Sequence, residues 1–161
     1  MEPLTEEETA EMQALYDTFN MDRATEERLS KMYGGESTPI LMEHIGEPFF
    51  PFALPNNPNP PVNNASTDVG DVSWVCPTAS MSGGTWAAWS PGHAWQTVAE
   101  GKSGAAHKGM LYAAKTLALT AIKLYEDPEI IKQAHEEWRQ RVGETGYVCP
   151  LPSDLRPGGN K

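Results

Sequence analysis

Asp71-Val72-Ser73-Trp74-Val75-Cys76-Pro77 decides how this chain is read. Val72, Trp74 and Cys76 alternate with Ser73 and Val75, the two-residue period of a strand, and Pro77 lacks the N–H that would continue one. A second strand is predicted from about Gly84 to Trp89. Four of the five tryptophans lie between Trp74 and Trp95, an aromatic density more typical of a core or a subunit interface than of a substrate cage.

Helical patterns flank this region. Thr5 and Glu8 form a capping-box pair, and Met12, Leu15, Tyr16 and Phe19 follow at helical spacing, predicting an amphipathic helix of about four turns with an acidic outer face. A short helix is predicted from about Thr25 to Tyr33, with Leu29, Met32 and Tyr33 inward and Gly34-Gly35 ending it. From about Ser103 to Glu126 the chain is rich in Ala, Leu, Met and Lys, with Gly109 as an interior defect. Apolar residues cover most of that wheel and leave Lys108, Lys115 and Lys123 for solvent, as in a helix layered on a sheet. Asp127 reads as an N-cap and Pro128 as the first position of a last helix through Ile131, Ala134, Trp138 and Val142, stopped at Gly143.

Between residues 37 and 65 seven of the fourteen prolines break every period, predicting a long irregular connection. Phe49, Phe50, Phe52 and Leu54 within it predict that part of it packs. Strands alternating with long helices indicate an α/β layered fold. Two or three strands are few for a sheet that must bury so apolar a helix, so either another segment completes the sheet or the chain oligomerises. The expected organisation is one partial domain over 1–161: a helical segment at 1–35, a Pro/Asn-rich loop at 36–65, an α/β core at 66–143 and an irregular tail at 144–161.

Twelve Lys and Arg against 22 Asp and Glu give a net charge of -10, a balance that disfavours nucleic acid and anionic membranes as partners. Residues 1–36 hold ten acids and three bases, so most of the excess sits there. Cys76 and Cys149 make no CxxC pair and read as two reduced thiols. No apolar run reaches the ~18 residues of a membrane span, and a cytoplasmic protein is the default expectation.

Among the histidines, His93 in Pro-Gly-His-Ala-Trp is the candidate ligand, but a catalytic zinc takes three protein ligands, so one histidine implies a site completed elsewhere. His107 lies near a helix N-terminus and reads either as a group beside a pocket or as a structural histidine of the first turn. His44 and His135 read as solvated.

Ser66-Thr67-Asp68-Val69-Gly70-Asp71-Val72-Ser73-Trp74, then His93-Ala94-Trp95-Gln96, then Ala106-His107-Lys108-Gly109-Met110-Leu111, with Tyr147-Val148-Cys149-Pro150-Leu151-Pro152 after them, resemble the C-terminal end of the catalytic domain in the metal-dependent amidohydrolase, aminoacylase and carboxypeptidase superfamily. The resemblance implies a layered zinc-exopeptidase-like domain, here with few strands, about four helices and no lid domain. It also implies hydrolysis of N-acyl amino acids such as p-aminobenzoyl-glutamate by water activated between two divalent metals, zinc or manganese. His93 would ligate one metal, while Ser66, Thr67, Asp68 and His107 would lie near the substrate or behind the ligands. The superfamily's upstream ligands and general base have no counterpart, so this chain alone is expected to be inactive and not to retain the metal. Its expected partners are the small substrate and a partner subunit or a second copy. The rival expectation is a non-catalytic assembly or regulatory module derived from the same family.

Overall fold

A computed structural model describes residues 1–19, 26–61, 67–144, 146–152 and 154–155. The described residues form seven helices and no strand: α1 (Glu6–Tyr16), α2 (Glu26–Met32), α3 (Ser37–Glu43), α4 (Val69–Val75), α5 (Trp95–Glu100), α6 (Gly104–Glu126) and α7 (Pro128–Val142). The α/β expectation is therefore corrected, and with it the α/β core assigned to 66–143 and the layered exopeptidase-like architecture.

The deciding stretch is a helix. Val69, Val72 and Val75 recur every three residues as readily as Val72, Trp74 and Cys76 recur every two, and a segment this short does not separate the periods. The Val72 and Cys76 amides donate to Asp68 and Val72 carbonyls at 3.4 and 3.1 Å, and the Ser73 hydroxyl donates to the Gly70 carbonyl at 2.6 Å. The predicted partner at Gly84–Trp89 has no ladder to join. The Ala87 amide goes to the Glu100 side chain at 3.1 Å and the Ala88 amide to the Pro48 carbonyl at 2.7 Å.

The chain divides into two compact units, residues 1–64 with 81–118, and residues 65–80 with 119–161. The division falls inside α6. In the first unit, α1 starts as predicted: the Glu8 amide donates to Thr5 Oγ1 at 3.2 Å and the Thr5 amide to Glu8 Oε2 at 2.7 Å. It runs eleven residues, about one turn short of the expected length. Met12 and Tyr16 are buried with Phe49, Ala87, Ala88 and Ala105, and Leu4, Leu15, Phe19, Phe50 and Trp89 pack around them.

Gly34 and Gly35 adopt φ of +61° and +53°, the left-handed geometry that closes α2. Leu29 is buried, but Met32 and Tyr33 are exposed, contrary to the inward placement expected of them; Thr25 lies outside the described residues. The proline-rich connection also contains a helix. Pro39 sits in the first turn of α3, where its missing N–H costs no intrahelical bond, so Leu41 can be buried behind it.

Gly109 is not a defect. It is buried where α6 meets the backbone of Gly84, and a Cβ there would collide with the Gly84 carbonyl oxygen and lie 2.8 Å from the Thr85 methyl. Two further readings of α6 are corrected. Lys108 is bound to the Glu8 carboxylate at 2.6 Å and the Pro3 carbonyl at 2.8 Å, away from open solvent. Apart from its first turns, the helix is uncovered: Met110, Leu111, Tyr112, Leu117, Leu119, Ile122 and Tyr125 are all exposed, Tyr125 at 87%.

In the second unit no described residue is buried. The Trp138 indole N–H donates to the Ser73 carbonyl at 2.9 Å, joining α7 to α4. Pro128 occupies the first turn of α7, and Gly143 ends it at φ +65°, as the sequence predicts.

Candidate functional site

The candidate site is the loop Trp89-Ser90-Pro91-Gly92-His93. Among the described residues only Trp89 and His93, at φ of +65° and +60°, are non-glycine residues in the left-handed region, which costs an L-residue roughly 1–2 kcal/mol. Trp89 has evident compensation: its indole N–H donates to the Ile45 carbonyl at 3.2 Å and its ring meets Phe50 edge-on with centroids 5.4 Å apart. His93 has none. Its imidazole is exposed and makes no hydrogen bond among the described residues.

Helix α5, absent from the sequence expectation, grips the loop from both sides. At its start the Ala94 amide donates to Thr97 Oγ1 at 3.3 Å, and the Thr97 hydroxyl donates to the Ala94 carbonyl at 2.6 Å. At its end Glu100 is fully buried, its Oε1 accepting from the Ala87 amide and lying 2.5 Å from Ser90 Oγ. The Ser90 hydroxyl also reaches the Ala87 carbonyl at 2.8 Å. Glu100 Oε2 is buried with no partner among the described residues. Burial pushes the Glu100 carboxyl up from the ordinary carboxylate range, against the lowering effect of its bonds from Ser90 and Ala87.

Of the other sequence-predicted residues that are described, Thr67 and Asp68 belong to the second unit and His107 to the first. Thr67 and Asp68 lie in the second unit at the start of α4, both exposed. Thr67 Oγ1 accepts from the Val69 amide at 3.3 Å, and Asp68 makes no side-chain cap. Ser66 lies outside the described residues. His107, in the first unit, is exposed in the first turn of α6, where the capping role belongs to buried Ser103, whose Oγ accepts from the Ala106 amide at 3.0 Å. Among the described residues no three His, Cys, Asp or Glu side chains are grouped to hold a metal ion, so they do not supply the donor set of a metal centre.

Sequence reasoning missed Glu100 and the Glu8–Lys108 pair. Glu100 stands in Thr97-Val98-Ala99-Glu100-Gly101 with no local signal of burial. The hydrogen bond from Lys108, reinforced by the Thr5 amide, holds the Glu8 carboxyl below its usual range.

Among the described residues of the second unit, one phenol is perturbed. Tyr147 is pushed up to about 12, first by its hydrogen bond to Cys149, then by desolvation and by Asp71. Hydrogen bonds that favour the neutral phenol, the loss of water around it and the Asp71 carboxylate beside it all oppose its ionisation. Tyrosinate absorbance in the ultraviolet should therefore show Tyr147 ionising above an ordinary phenol, and Cys149→Ala should bring it down toward the usual value of about 10. An unchanged titration in Cys149→Ala would refute the contact. Both cysteines are free and exposed.

The resemblance carried by the three motifs leads to a bacterial hydrolase. Over 129 residues the chain is 41% identical to a subunit of the p-aminobenzoyl-glutamate hydrolase of Escherichia coli (strain K12), covering 77% of this chain and 26% of that protein. The chain is a relative of that hydrolase subunit and spans about a quarter of its length. No family model and no solved structure matches the chain. Among the described residues no helix is long and apolar enough to cross a membrane.

Proposed function

We propose that these residues form part of a metal-dependent amidohydrolase acting on N-acyl amino acids such as p-aminobenzoyl-glutamate, with His93 as one ligand of a zinc or manganese ion. The similarity to the p-aminobenzoyl-glutamate hydrolase subunit over three quarters of the chain carries this reading. The conformation of His93 supports it, because a residue held in the left-handed region with an exposed imidazole that has no hydrogen-bond partner among the described residues fits a side chain kept for a ligand. Thr67, Asp68 and Ser66 would orient substrate or ligands, with His107 nearby. The remaining donors must come from outside the described residues or from a partner subunit, and no step of hydrolysis is assigned to this chain alone.

The test pairs activity with stability. The chain alone, with manganese or zinc, should release no p-aminobenzoate from p-aminobenzoyl-glutamate, whereas the native assembly from its source should. His93→Ala in that assembly should lower metal affinity about 100-fold or more, since loss of groups behind the ligands already costs 10–100-fold. In the chain, the same substitution should leave unfolding stability within about 0.5 kcal/mol of the wild type. His93→Gly should exceed His93→Ala by about 1 kcal/mol, because glycine tolerates the left-handed φ. Full activity in His93→Ala would exclude the ligand role, and a large stability loss would make the ring structural. An assembly that never cleaves the amide would favour a non-catalytic module.

A further inference from the structure

We propose that Glu100 is a positioning residue that, through Ala87 and Ser90, holds the loop ending at His93 in the geometry that presents the imidazole. The inference rests on the reading of His93 as a metal ligand. Three observations support it. Glu100 is fully buried although charged residues almost never are unless paired, and none of its hydrogen bonds is to a cation. Its Oε1 meets the loop at both Ala87 and Ser90, 3.1 and 2.5 Å away, while Thr97 from the same helix holds Ala94 on the far side of His93. Between Ser90 and His93 stand only Pro91, whose ring fixes φ, and Gly92. A six-residue helix therefore clamps both ends of a short loop whose last residue is strained.

The Ser90 hydroxyl has one hydrogen and two oxygens within reach, the Ala87 carbonyl and Glu100 Oε1. A protonated Glu100 resolves this by donating to Ser90, which donates on to the Ala87 carbonyl. It also leaves the partnerless Oε2 uncharged, as its burial demands.

The experiment is NMR of the 161-residue chain, reading the strong intraresidue amide-to-Hα NOE that marks a left-handed residue. The wild type should show it at Trp89 and His93. Glu100→Ala should lose it at His93 and keep it at Trp89, whose indole is anchored separately. Retention at His93 in Glu100→Ala would overturn the proposal. Should that variant fail to fold, Glu100→Leu, which fills similar space but removes both bonds, takes its place: loss at His93 supports the proposal and retention overturns it. A residue that merely stabilised the unit would lower its melting point without altering the His93 signature. The metal-ligand reading fails separately, in the activity of His93→Ala.

Discussion

Gly109→Ala should destabilise the first unit by about 1–3 kcal/mol, the usual cost of forcing an added methyl into a filled space. The sign is informative. In an unobstructed helix the same change stabilises by about 1 kcal/mol, because alanine gives up less backbone entropy than glycine. Here the added carbon would meet the Gly84 carbonyl oxygen, which is backbone and has no rotamer by which to retreat. Gly70, inside α4 with open space for 4 Å around the point where a Cβ would stand, is the internal comparison, and Gly70→Ala should stabilise by about 0.5–1 kcal/mol. Urea unfolding followed by tryptophan fluorescence reads both. A stabilised Gly109→Ala would mean that α6 does not approach residues 84 and 85 so closely.

Met12→Ala should cost about 2–5 kcal/mol, the range for deleting a large buried aliphatic side chain that leaves a cavity. Met12 has no exposed surface, and among the described residues only Leu29 and Leu41 come close to it as large buried apolar side chains. Its neighbours in the core include Ala87 and Ala88, too small to refill the space it leaves. Against a total stability of about 5–15 kcal/mol for an ordinary domain, the loss would take a large share. Because Ala87 and Ala88 lead directly into Trp89, the loop carrying His93 should loosen with it. A cost below about 1 kcal/mol would show that the core closes over the gap.

Much of the helical architecture is local and therefore legible. The Thr5–Glu8 box, the Gly34-Gly35 stop, the start of α7 at Pro128 and its end at Gly143 each depend on residues within one turn of one another. The Asp71–Cys76 stretch misleads because Val72, Trp74 and Cys76 fit a period of two while Val72 and Val75, with Val69 before them, fit a period of three, and no ladder partner exists among the described residues to arbitrate. Pro39 hides α3 because a proline in the first turn looks the same in sequence as one that breaks a helix. At the site, His93 emerges through resemblance and not through periodicity. Glu100 and the Glu8–Lys108 pair escape because their partners are 10 to 13 and 100 residues away, and composition carries no trace of such contacts.

Helix α6 has a practical consequence for anyone handling this chain. Met110, Leu111 and Tyr112 follow one another around the helix at steps of about 100°, so bare apolar surface covers the part of that turn that is not packed on Gly83 and Gly84. Chaperones and proteases in a cell recognise such surface as the mark of unfinished folding, and in a test tube it limits the concentration at which the chain stays dispersed.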